Sequence, residues 1–155
     1  MTLQGISWTD IPATTWRTEV VYVHQKPVLF PGNVESNLRR AFSFQGRSRA
    51  HPDLAWAGAS LSRLLLPEDV LARDALTLSV GEGCRVTLVR ALMLDPKVLL
   101  LDEPSAALDS KATEAVAGLL QEWIASGVRG IIAAGHDEGM IRLLPGQEIT
   151  LADPP

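Results

Sequence analysis

The 155 residues carry a formal net charge of −4, with 46% hydrophobic and 21% charged side chains. That is enough apolar material for one domain with its own core, which excludes a disordered chain. The acidic balance, with no local run of Lys or Arg, argues against a nucleic-acid partner.

The opening, MTLQGISWTD, has neither the basic start nor the apolar segment of a secretory leader. Apolar runs such as LAWAGA and GIIAAG fall far short of the roughly 20 residues a membrane-spanning helix needs, so any membrane association is expected to come through a partner. The lone cysteine, Cys84, cannot form an internal disulfide; a small packing residue in the reducing cytosol is the expectation.

Along the chain, the β-branched run Val20 to Val23 predicts a first buried strand. From 33 to 76 the sequence offers helical pieces, two prolines and the polar link FQGRSRAHPD but no strand, so a helical insertion is expected. Arg85 to Leu94 places Val86, Val89, Leu92 and Met93 on one helical face, and Asp95-Pro96 ends the pattern. Val98 to Leu101 reads as a second buried strand. Ser110 to Ser126 then aligns Ala112, Val116, Leu119, Leu120, Trp123 and Ile124 on one face, with Gly127 as the stop. Two further strands are expected at Gly130 to Ala134 and Glu148 to Leu151. Strand and helix alternate, which predicts an α/β fold with a mostly parallel sheet.

Two features carry chemistry. VLLLDE is a buried strand ending in Asp102 and Glu103, and strand alternation sends the two carboxylates in different directions at the carboxyl edge of the sheet, where α/β ligands collect. One acid can hold a water on Mg²⁺ while the other faces an attacking water, the division of labour that phosphate hydrolysis needs; a pair of surface acids is the plainer alternative. Ser79 and Glu82 stand at capping-box spacing before an apolar helical run, and a capped helix start also presents amides and a positive dipole end to an anion.

The order of these motifs resembles the nucleotide-binding domain of ABC (ATP-binding cassette) ATPases over nearly the whole chain. VVYVHQKPVLFPGNVESNL is similar to the Q-loop region, LSVGE to the signature motif, VLLLDE to Walker B, SAALD to the D-loop, and AAGHD to the switch-histidine segment. The resemblance implies a partial P-loop NTPase-like sheet with a helical insertion: residues 33–76 plus the signature helix 79–94 form a helical subdomain, and 1–32 with 95–155 form the α/β core. It further implies ATP and Mg²⁺ as cofactors. Gln25 would sense the γ-phosphate and Mg²⁺ and couple to a membrane subunit, Asp102 would support Mg²⁺, Glu103 would orient the attacking water, and His136 would contact the γ-phosphate. Ser79, Gly81 and Glu82 of the signature motif would meet nucleotide held by a second, head-to-tail ATPase subunit, and Asp109 would cross that interface. The implied setting is the cytoplasmic face of a membrane, beside a permease subunit; LFPGNVESNL is similar to ATPases of exporter-type systems. Plainer readings stand beside these: Gln25 as a polar loop residue, Asp109 as a helix N-cap, His136 as a satisfied loop residue.

One landmark of that family is not in the sequence. A phosphate loop needs a glycine-rich turn followed by Lys-Ser/Thr, and the three lysines here, Lys26, Lys97 and Lys111, precede Pro, Val and Ala. In the family the loop lies upstream of the Q-loop, and its strand sits beside the one like Gly130 to Ala134. The expectation is therefore a domain truncated before the Q-loop, with an open sheet position and doubtful autonomous activity. A non-catalytic remnant that lends its signature face to a complete ATPase is the alternative. Hydrogen bonds to charged groups contribute about 1.5–3 kcal/mol each, so three or four missing bonds remove roughly 5–10 kcal/mol, against about 8 kcal/mol for micromolar affinity. Val80 stands where the family has glycine, and a β-branched residue there would be strained by roughly 1–2 kcal/mol if φ were positive. Gly135 replaces the usual Thr or Ser before the histidine.

Overall fold

The computed structural model describes residues 2–3, 5–43, 51–135, 138–147 and 149. A short antiparallel pair, β1 (Thr2–Leu3) with β2 (Ile6–Ser7), is followed by α1 (Ala13–Glu19), which runs directly into β3 (Val20–Val23). Next come α2 (Val34–Arg40), α3 (Leu54–Arg63), two 3₁₀ turns and α4 (Val80–Leu92). β4 (Val98–Asp102), α5 (Ser110–Ala125), β5 (Gly130–Ala134) and α6 (Glu138–Leu143) complete the described elements.

The main sheet is parallel, in the order β3-β4-β5, with Val20 opposite Val98 and Val98 opposite Gly130. Side-chain alternation decides its two faces. Leu99 and Leu101 of β4 are 0% and 2% exposed, packed in one core with Val86 and Val89 of α4 and Val116, Leu120 and Trp123 of α5. On the opposite face Tyr22 is 48% and Ile132 64% exposed. Among the described residues β5 pairs only with β4. The expected strand at Glu148 to Leu151 falls almost wholly outside the described residues.

The apolar pattern from Arg85 lies inside a helix that begins at Val80, where the expected capping box forms: the Ser79 Oγ accepts from the Glu82 N–H at 3.3 Å and Glu82 Oε2 accepts from the Ser79 N–H at 2.8 Å. Val80 is thus helical, and the expected strain is not there; positive φ among non-glycine residues falls on Leu65, Asp95 and Glu103. Asp95, at φ 49°, turns the chain out of α4 ahead of buried Pro96. Asp109 caps α5, its Oδ1 accepting from the Ala112 N–H at 2.8 Å, which is the plainer of its two expected roles. Residues 33–43 and 51–76 hold helices and turns, with a single bridge between Asn33 and Asp74.

Candidate active site

The two acids sit where the parallel sheet ends. Asp102 is the last residue of β4, paired with Ala134, and Glu103 leaves the strand at φ 47°, its N–H donating to the Ala134 carbonyl at 2.8 Å. This left-handed step turns the Glu103 carboxylate toward β5: a Cβ placed on Gly135 would lie 3.5 Å from Glu103 Oε2. Asp102 instead faces the open side of the sheet and accepts the Tyr22 hydroxyl at 2.7 Å. Tyr22 pairs with Leu100 two residues before Asp102, so register puts both on one face. The bond raises the Tyr22 pKa above its ordinary value, because losing the proton would set a phenolate beside a carboxylate.

The turn after β3 brings Gln25 to the same place. Gln25, Cys84, Arg85, Asp102 and Glu103 line one small concavity of about 20 Å³, room for roughly one water. Gly83 lets the turn lie against α4, since a Cβ there would be 2.9 Å from Pro27 Cγ. Asn37, 1% exposed, holds the end of the turn through Phe30, accepting from its N–H at 2.8 Å and donating to its carbonyl at 2.9 Å. The Cys84 thiol donates to the Gln25 carbonyl at 3.5 Å, and burial pushes its pKa up. Cys84, expected as a small packing residue, packs here in the wall of that concavity.

The signature residues form a second group at the start of α4. Ser79 and Glu82 make the full capping box, and Arg73 pairs with Glu82 at 2.8 Å. The Ser79 N–H, then the Arg73 guanidinium, hold the Glu82 carboxyl below its ordinary range. Gly81 packs against the segment after Glu103: a Cβ on it would stand 2.6 Å from the Ala107 carbonyl oxygen. The glycine is thus required by packing in this chain, before any nucleotide is considered. His136 lies outside the described residues.

Sequence reasoning missed Tyr22, Arg73 and Arg85 as neighbours of these groups. Only Tyr22 left a usable signal, a hydroxyl two places from a strand-end acid once the register is known. Among the described residues no three His, Cys, Asp or Glu side chains converge as a metal cage.

Comparison with known proteins identifies the family. The ABC transporter family model matches residues 1–106. The probable iron export ATP-binding protein FetA of Escherichia coli (strain K12) is 33% identical over 138 residues, 89% of this chain and 60% of that protein. The phosphate import ATP-binding protein PstB 2 of Bacillus licheniformis is 36% identical over 121 residues, 74% of this chain and 44% of that protein. The chain thus spans only part of the length of these relatives. Among solved structures, a bacterial Atm1-family ABC exporter with ATP bound superposes with a TM-score of 0.70 at 27% identity, covering 90% of this chain and 25% of the other. The ATP-binding cassette MJ0796, bound to ADP and Pi, shares the fold with a TM-score of 0.74 at 24% identity, covering 91% of this chain and 64% of the other. With a family model over more than half its residues, and the Q-loop, signature, Walker B and D-loop motifs on the matching fold, the chain belongs to the ABC transporter ATP-binding family.

Proposed function

We propose that this chain supplies the acid half of an ATP-hydrolysing site in an ABC transporter. The observation that carries the reading is the meeting of Gln25, Asp102 and Glu103 around one water-sized concavity at the carboxyl edge of a parallel sheet. Asp102 and the Gln25 side chain are the oxygen donors for Mg²⁺, directly or through water. Glu103, turned away from Asp102, orients the attacking water and accepts its proton as the oxygen closes on phosphorus. His136 takes the γ-phosphate by resemblance. Bound Mg²⁺ contributes charge neutralisation at the transferring phosphoryl group.

The phosphate cradle and its lysine come from polypeptide outside these 155 residues. Ser79, Gly81 and Glu82, at the capped start of α4, face nucleotide held by a second ATPase subunit, and Asp109 lies at that interface. The helical unit, 33–76 with 79–94, and the core, 1–32 with 95–155, are the two parts of this domain. A permease subunit at the cytoplasmic face provides the membrane path; among the described residues no helix is long and apolar enough to span a bilayer.

A second reading is a module that only lends its signature face, with the helix start held by the capping box at Ser79, to a complete ATPase. Calorimetric titration with Mg²⁺-ATP separates the two. The chain by itself is expected to bind more weakly than micromolar, and joining it at its amino end to a phosphate-loop segment of a relative should bring binding into the micromolar range. No gain on joining would leave the module reading in place.

A further inference from the structure

At the amino ends of the strands, on the sheet edge opposite Asp102 and Glu103, a cavity of about 390 Å³ lies between α3, the end of α4 and the end of α5. Asp95, just before β4, and Arg129, just before β5, fix its place in the fold. Leu92 and Leu119, 3% and 4% exposed, give it apolar wall, and two of the four tryptophans, Trp56 and Trp123, line it. That volume and lining suit a small organic molecule.

One cation of the chain itself shows what these walls hold. The Arg129 guanidinium lies 5.1 Å from the Trp123 ring centroid, pairs with Asp95, and donates to the Trp123 carbonyl at 3.0 Å and to Ser126 Oγ. On the α3 wall the same two side-chain types recur in Trp56 and Asp53, yet neither has a cation as partner among the described residues. Trp56 is 37% exposed, and Asp53 uses only Oδ1, which accepts the Trp56 N–H at 2.9 Å. Arg63, the other cation of the lining, is taken by Glu122 at 2.5 Å. Three carboxylates, Asp53, Asp95 and Glu122, thus face two guanidinium groups. α4 and α5 end in the wall at Met93 and Ser126, and their carbonyl ends add negative potential; the positive start of α3 is met by the Asp53 cap. The indole N–H of Trp123 is buried without an acceptor, a further unmet polar group in this wall.

We propose that this cavity binds a small, flat organic cation, an amidinium or guanidinium on an apolar body, with its charge at Asp53 and its plane on Trp56. Such a ligand repeats on α3 the way Arg129 is held by Trp123 and Asp95. A neutral molecule of the same shape keeps the apolar contact and loses the carboxylate, and an anion meets like charge. The site shares no residue with the Gln25, Asp102 and Glu103 concavity and goes beyond the nucleotide reading.

Benzamidine, benzamide and benzoate have nearly one shape and differ in charge, so titration of the whole chain with each, followed by NMR on the tryptophan indole N–H signals, provides the test. Benzamidine should bind about ten-fold more tightly than benzamide, and benzoate more weakly still. Asp53→Asn, which keeps a good N-cap, should bring benzamidine down to the benzamide level. Trp56→Ala should weaken benzamidine several-fold, and Glu68→Gln, an exposed acid outside the cavity, should change nothing. Equal binding of benzamidine and benzamide, no binding of benzamidine, a preference that survives Asp53→Asn, or one lost equally in Glu68→Gln would overturn the proposal. Trp56 is exposed, so its variant decides the matter even if Asp53→Asn does not fold: undiminished benzamidine binding in Trp56→Ala also overturns it. None of these probes carries a phosphate, so their outcome and that of the Mg²⁺-ATP titration are read separately.

Discussion

The Tyr22 hydroxyl donates to Oδ2 of Asp102 at 2.7 Å, across the β3–β4 pair and on the open face of the sheet. Because Tyr22 is the only tyrosine in the chain, this bond can be read without interference. Its phenol is held protonated, so the folded pKa lies above the ordinary value; the contribution to stability is complete below that value and is lost as pH rises through the folded pKa. Absorbance titration of the phenolate should give a midpoint above 10, and Asp102→Asn should bring it back toward 10. An unchanged midpoint in the variant would mean that the bond does not persist in solution.

The capping box gives a second pH signature of opposite sign. Glu82 is depressed by the Ser79 N–H and Arg73, so its contribution is present above the ordinary carboxylate value and disappears as pH falls through the lower folded value. Urea denaturation followed from neutral pH to below pH 4 should show a shallower loss of stability for Glu82→Gln than for the unaltered chain. Ser79→Ala should cost about 1 kcal/mol at neutral pH, the usual cost of removing an N-cap.

Two glycines should respond in opposite ways. Gly81→Ala drives a methyl to 2.6 Å from the Ala107 carbonyl oxygen, which neither backbone can absorb freely, and is expected to destabilise by about 1–3 kcal/mol. Gly118, inside α5, has nothing within 4 Å of an added Cβ. Gly118→Ala should therefore stabilise by up to about 1 kcal/mol through helix propensity. Denaturant midpoints measured side by side check both signs.

The parts of this fold written in local pattern were legible from sequence. Val20–Val23 and Gly130–Ala134 fall at the strand limits found, and the apolar face of α5 was assigned correctly because its period repeats over four turns. α1 was missed, since none of its residues is buried and no apolar stripe announces it. Motif order brought out the acids and the glutamine, but contacts between distant segments could not be read along the chain. Tyr22 with Asp102, Arg73 with Glu82, and Gly81 against Ala107 each depend on register or on packing of one element over another. Val80 shows the converse: a comparison with glycine suggested strain, while the capped helix start gives that residue an ordinary backbone.

The most direct measurement is phosphate release from Mg²⁺-ATP by the chain joined to a phosphate-loop segment, with and without Glu103→Gln. If the acid half of the site lies at the end of β4, the joined protein hydrolyses ATP and the variant loses at least about 100-fold in rate while still binding nucleotide. Hydrolysis that continues undiminished in Glu103→Gln would contradict the account.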